Sequence, residues 1–247
     1  MAWSLSPVVI LFLLVILAGV LVIAISKMLD PLWARTVPAR FVYHIISVPG
    51  VVVHECSHVL GCLITGARIK KIVLFSGDGG SVTYVTPSVP MIGNIIISTA
   101  PLFVIPLVLA GLTWFFGTYA GCLLSLPVPS LDSPAMVVPL VTGSALILWQ
   151  NLLVHFNAWF LLYLYLALSL VLSLAPSMQD MKNAAAGLVI LVGAGLLIIG
   201  SGVDLIVSLF GSLLHLIATG LALGLMFELL TVFVSIPPLL VFFVFDR

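Results

Sequence analysis

From Val8 to Met28 the chain carries one charged residue, Lys27, in an otherwise apolar run. A run of about 20 such residues is long enough to cross a bilayer as a helix. In lipid only a helix or a closed barrel satisfies its own backbone groups, so this run constrains the fold more than any other feature. Further apolar segments lie at 41–65, 91–116, 136–175, 183–202 and 204–234, with a short coda at 239–245. The composition agrees, with 63% hydrophobic and 6% charged residues, against about 25% charged in a soluble domain. The expectation is an all-α polytopic transmembrane bundle of about six spans, with seven as the alternative count. Residues 1–247 read as a single integral-membrane domain with no internal repeat.

The opening "MAWSLSP" has no Lys or Arg. The apolar run behind it exceeds the 7–15 residues or so of a signal-peptide core, so it reads as a retained first helix. Eight basic and eight acidic residues balance to zero, which leaves no basic face for nucleic acid. Cys56, Cys62 and Cys122 are too few and too scattered for a disulfide framework or a cysteine-based zinc ribbon. The first connector holds Lys27, Arg35 and Arg40, and the next holds Arg68, Lys70 and Lys71. The positive-inside rule therefore gives a tie in orientation. Gly193, Gly195 and Gly200 would permit close helix packing, but no feature fixes an oligomeric state.

Three segments need separate treatment. The block 136–175 is too long for one ordinary span and holds the polar cluster "WQNLLVHFNAW", Trp149 to Trp159. It is either two helices with a tight turn or one helix preceded by an interfacial or re-entrant piece. Pro237-Pro238 is expected to end or kink the last long helix, because proline lacks the N–H and clashes with the preceding turn. "RIKKIVLFSGDGGSVTYVTP", at about 68–87, places turn glycines between β-branched and aromatic runs, which predicts a β-hairpin.

The chemistry is concentrated in "VVVHECSHVLG", residues 51–61. On a helix, His54 and His58 lie one turn apart on one face and can share a metal ion. Glu55 follows the first histidine, giving the H-E-x-x-H pattern of two zinc ligands and a general base. Zinc lowers the pKa of a bound water to about 7, which makes hydroxide available near neutrality. Cys56 falls on the opposite side, where packing is its expected role. With 5 His and 2 Glu in 247 residues, chance produces this pattern in about one chain in a thousand. The bland alternative is two histidines hydrogen-bonded in the bundle core. Ionisable groups in membrane helices are costly and usually functional.

A catalytic zinc normally takes three protein ligands. Asp30, Asp78, Asp132 and Asp246 read as solvated loop or terminal acids. Asp180 follows Pro176-Ser177, a helix-start signal, and falls in the first turn of the next helix. There it also suits the helix dipole. Asp204, Glu228, His155 and His215 are further candidates for the third ligand.

Three stretches resemble the site-2 protease family of intramembrane zinc metalloproteases. They are "VVVHECSHVLGCLITGARI", "STAPLFVIPLVLAG" and "SLAPSMQDMKNA", and together they cover about a quarter of the chain. The first looks like the family's H-E-x-x-H helix, the second like the start of its next helix. The third looks like a P-S-x-x-D form of its third-ligand segment, found in a compact branch without PDZ or CBS domains. The resemblance implies one Zn2+ per chain held by His54, His58 and Asp180, with Glu55 as base. It also implies hydrolysis of peptide bonds within or near transmembrane segments of a membrane-embedded protein substrate, in a prokaryotic cell membrane. Better-known members carry Leu-Asp-Gly with Asn and Pro upstream, whereas here Asp180 is flanked by Gln179 and Met181.

A peptide bond inside a membrane helix is shielded by its own hydrogen bonds, so such a substrate must unwind and find new backbone partners. Strand addition to the hairpin would supply them, with Val82 and Tyr84 as the expected contact positions. Two other functions compete. A prenyl-protein-type membrane zinc protease would use Glu228 as its third ligand. A zinc transporter or non-catalytic metal-binding membrane protein would need the ligands but not Glu55.

Overall fold

The computed structural model describes residues 7–36, 40–76, 79–85, 87, 89–124 and 137–245. Helix α1 spans Pro7–Thr36 and α2 spans Arg40–Thr65. The hairpin follows as β1, Ile69–Ser76, and β2, Gly79–Tyr84. Then come α3, Pro90–Tyr119, α4, Val137–Trp149, and a π-helical turn at Gln150–Val154. Helices α5, Ala158–Leu172, α6, Met178–Gly200, and α7, Asp204–Phe245, complete the order. Among the described residues four helices are long and apolar enough to cross a membrane: Pro7–Ala34, Phe41–Thr65, Pro90–Tyr119 and Asp204–Pro237. Asp78, Asp132, Asp246 and the tip of the hairpin lie outside the described residues.

Helix α1 lies along α7. Leu11, Phe12, Val15, Ala18 and Val22 recur at helical spacing and meet Phe210, Leu214, Ala218 and Leu221. Gly195 of α6 lets this seam close, because a Cβ there would stand 2.9 Å from the Phe12 ring. The second cluster surrounds α5, where Phe160, Tyr163, Ala167 and Val171 pack with Ile105 and Leu109 of α3 and Met226 and Phe227 of α7. Residues 167–172 are all buried, so the C-terminal half of α5 is sheathed by protein. Lipid gives no hydrophobic drive for such contacts, so close packing and small residues have to hold them.

The block 136–175 resolves into two short helices, covering Val141–Val154 and Ala158–Leu172. Two asparagines of the polar cluster make the break. Asn151 accepts from Leu123 N at 2.8 Å and donates to Leu123 O and Ile147 O, both at 2.9 Å. Asn157 caps α5 by accepting from Trp159 N at 2.9 Å, and it donates to Ala120 O at 2.9 Å. Both thus satisfy backbone where α3 ends, which water cannot do inside a bundle.

Of the two outcomes expected at Pro237-Pro238, an end or a kink, the end is excluded, because the last helix continues to Phe245. Membrane helices tolerate proline because neighbouring groups can re-satisfy the freed backbone. Asp30 is not a loop residue, because α1 runs eight residues beyond Met28, to Thr36. The same tolerance is seen at Pro49 inside α2. Pro49 cannot donate to Ile45 O, and the Tyr165 hydroxyl donates to that carbonyl instead, at 2.8 Å.

Candidate metal centre and active site

Helix α2 carries His54, Glu55 and His58 through the middle of the bundle, and two glycines set how its neighbours approach. A Cβ on Gly50 would lie 1.9 Å from Ser169 O of α5, and one on Gly61 would lie 2.8 Å from Ile97 Cα of α3. The Gly50 N–H donates to Ser169 Oγ at 2.8 Å. These crossings bring one backbone carbonyl to each histidine. His54 Nδ1 donates to Ser173 O at 2.6 Å, and His58 Nδ1 donates to Ile97 O at 2.8 Å. A carbonyl only accepts, so each ring carries its proton on Nδ1 and keeps a lone pair on Nε2.

The two Nε2 atoms face each other at 3.1 Å. Asp180 Oδ2 lies 3.4 Å from His58 Nε2 and 4.0 Å from His54 Nε2. Among the described residues His54, His58 and Asp180 are the group able to hold a metal ion, with ligand atoms within 4.8 Å of one another. Ligands on a tetrahedral zinc at about 2.0–2.1 Å stand about 3.3 Å apart. The donor set therefore fits zinc in type and in spacing. Two lone pairs and a carboxylate oxygen converging at this range repel unless a cation is shared among them. The carbonyls behind the imidazoles are the outer partners that fix ring orientation in metal sites.

Asp180 is delivered by the start of α6. Ser177 is the N-cap, and the two residues form a capping box. Ser177 Oγ accepts from Asp180 N at 3.1 Å, and it donates to Asp180 Oδ2 at 2.6 Å. The Ser177 N–H makes the third bond between the two residues, donating to Oδ2 at 3.2 Å. The helix-start role and the metal-facing role thus fall on the same carboxylate. The alternatives lie elsewhere. Glu228 is fully buried and accepts from Ser26 Oγ at 2.7 Å, while Asp204, His155 and His215 are exposed.

Glu55 is buried, and its Oε2 has no hydrogen-bond partner among the described residues. The hairpin comes down directly on it: a Cβ on Gly80 would lie 2.4 Å from Glu55 Cγ. A cavity of about 450 Å³ opens beside His54 and Glu55, with Gly79, Gly80 and Phe75 of the hairpin among its walls. Val82 and Tyr84 turn their side chains toward Cys62, Ala67 and Ile97 and dock the hairpin on α2 and α3. Burial raises the Tyr84 hydroxyl above the ordinary tyrosine range, and that hydroxyl shares a hydrogen bond with Ser98. Asn183 of α6 donates to the same Ser98 at 3.1 Å, so hairpin, α3 and α6 are linked by one polar chain. Cys56 is exposed and takes no part.

The sequence points to His54, Glu55, His58 and Asp180, and the structure brings the three ligand candidates together. The Ser173 and Ile97 carbonyls and Gly80 are not evident from it. Backbone carbonyls have no sequence signature, but Gly50 and Gly61, each within a turn of a histidine, were the available signal.

The comparison with protein families falls on this helix. Residues 47–128 match a family described as "Putative zincin peptidase". The matched span is about a third of the chain, covering α2 from Ser47 onward, the hairpin and α3 and ending before Asp180. This similarity supports a zinc metallopeptidase and implies zinc as the metal. No curated protein and no solved structure matches the chain.

Proposed function

We propose that this protein is an intramembrane zinc metalloprotease of the site-2 type, hydrolysing peptide bonds within or near transmembrane segments of membrane proteins. The observation that carries the proposal is a His54–His58–Asp180 donor set with Glu55 beside it, in which both histidines and Glu55 stand on a helix long and apolar enough to cross a membrane. Zinc held there supplies Lewis-acid activation of water and of the peptide carbonyl. Glu55 takes the proton of the attacking water and passes it to the leaving amine. Its buried Oε2, free of competing partners among the described residues, is suited to that work.

The substrate enters extended. Val85 N donates to Arg68 O at 2.8 Å, so by strand alternation the N–H and C=O groups of Tyr84 and Val82 face away from β1. That edge offers backbone partners to an unwound segment, in the same strand as Gly80, which packs against Glu55. In the six-span reading, α6 and the α4–α5 pair complete the set begun by the four long helices. Twenty-three residues in α6 cover about 34 Å, enough for the hydrocarbon core.

The test is zinc content and cleavage of a transmembrane model substrate by wild type, Glu55→Gln and Asp180→Ala. The expected result is one zinc per wild-type chain with cleavage, retained zinc without cleavage in Glu55→Gln, and lost zinc in Asp180→Ala. A wild type that holds zinc and cleaves no transmembrane substrate would redirect the assignment to transport or metal binding.

A further inference from the structure

The cavity beside Glu55 extends to a set of residues that the zinc chemistry does not use. Asp30 of α1, with Tyr43 and His44 of α2 and Phe75 of β1, forms part of its wall. The Tyr43 hydroxyl donates to Asp30 Oδ1 and orients the carboxylate. The three rings are contiguous, with Tyr43–His44 centroids 6.3 Å apart and His44–Phe75 6.2 Å apart at 81°. Among the residues whose side chains are described, no Lys or Arg lines this wall and no ion pair holds Asp30. An oriented carboxylate beside aromatic rings attracts an ammonium or guanidinium group and repels an acid.

Tyr43 lies eleven residues before His54 in α2, or about 16 Å along the helix axis. It sits near the N-terminal end of the span, whereas Glu55 lies deep within it. An extended chain covers about 3.3 Å per residue. A long side chain reaching for Asp30 would therefore come from a residue about three to five positions from the scissile bond.

We propose that the Asp30–Tyr43 part of this cavity is a specificity subsite for a Lys or Arg side chain of the substrate, at the membrane-surface end of its transmembrane segment. The proposal rests on the protease reading, and it names the feature that reading lacks, a means of choosing substrates. Lys and Arg flank membrane spans with their stems in the apolar zone and their charges at the surface. A half-buried carboxylate is costly alone and gains from such a partner.

The experiment uses the full chain, zinc-loaded, in liposomes. A set of transmembrane model substrates carries one Lys moved through positions about two to six residues to either side of the cut. Each is compared with Gln and with Glu at the same position. At one position kcat/KM is expected to fall in the order Lys, Gln, Glu, with Lys about tenfold above Gln. In Asp30→Asn the Lys-to-Gln ratio falls toward one, and in Asp30→Lys the order inverts to favour Glu. Tyr43→Phe keeps the ring and removes only the orienting hydroxyl, so the ratio falls about threefold; it decides the matter if the Asp30 variants do not fold.

Binding of the same peptides to Glu55→Gln, read by fluorescence anisotropy, is measured alongside, with and without Asp30→Asn. If no peptide is cleaved but Lys-dependent binding is lost with Asp30→Asn, the protease assignment fails and the subsite stands. A Lys preference unmoved by these variants, or absent from both cleavage and binding, overturns the subsite.

Discussion

Gly50 approaches Ser169 so closely that a Cβ on the glycine would stand 1.9 Å from the serine carbonyl oxygen. One turn further on in each helix, the Ser173 carbonyl reaches the His54 ring. Gly61 and Ile97 repeat the relationship for His58 further along α2. Orientation of each imidazole therefore depends on a glycine that is not itself near the metal position. Clashes with backbone atoms cannot be relieved by rotating a side chain; the helices must separate.

Gly50→Ala and Gly61→Ala are accordingly expected to lower both stability and zinc occupancy. Overpacking typically costs about 1–3 kcal/mol, and Gly50→Ala belongs at or above the upper end. Gly193→Ala is the control, since a Cβ there meets nothing within 4 Å. Thermal unfolding in detergent with zinc analysis of the same samples checks this. Equal zinc content in all three variants would show that the crossings do not set the histidines.

Gly80 tests the hairpin's hold on Glu55, the proposed base. An added methyl group collides with Glu55 Cγ and pushes the carboxylate off its line. A displacement of about 1 Å at a catalytic group can cost about a hundredfold. Gly80→Ala should thus lose about 10–100-fold in kcat while zinc stays bound, a milder form of Glu55→Gln, for which loss of general-base catalysis predicts about 10²–10⁴-fold. Single-turnover cleavage with parallel zinc analysis separates this from general misfolding, which would lower both.

Ser177 touches Asp180 through three hydrogen bonds, two of them directed at the oxygen that faces the histidines. Removing an outer partner of a metal ligand typically weakens metal affinity about 10–100-fold. Losing an N-cap costs about 1 kcal/mol in addition. Ser177→Ala should show both, and Ser177→Thr neither. Competition with a zinc chelator reads the affinity; an unchanged affinity in Ser177→Ala would show that the capping box does not hold Asp180 toward the metal position.

What could be read from the chain and what could not divide along physical lines. H-E-x-x-H is a local pattern, since one helix turn places His54 over His58, and Ser177–Asp180 is likewise local because a capping box spans three residues. The hairpin showed through its turn glycines. The break at Asn151–Asn157 was visible only as a polar cluster, because its partners, Ala120 and Leu123, lie about thirty residues away. The continuation through Pro237 is not legible, because proline's local penalty is evident in sequence and the tertiary support that offsets it is not. Asp30 reads in sequence as a loop acid because a charge marks the edge of a membrane run, not the end of the helix.

The hairpin edge gives the last prediction. In β2 the Val82 and Tyr84 N–H groups point away from β1, whereas those of Ser81 and Thr83 point toward it by the same alternation. Proline at position 82 or 84 removes an outward donor and leaves the hydrogen bonds between the two strands in place. If substrate adds as a strand to this edge, Val82→Pro and Tyr84→Pro should cut proteolysis about tenfold or more with zinc content unchanged. Because both side chains also dock the hairpin on α2 and α3, Val82→Ala and Tyr84→Phe are needed beside them. Those variants disturb the docking and keep the donor. Proteolysis lost in the proline variants and largely kept in the other two assigns the effect to the backbone edge, whereas equal losses would assign it to docking and normal turnover in the proline variants would exclude strand addition at β2.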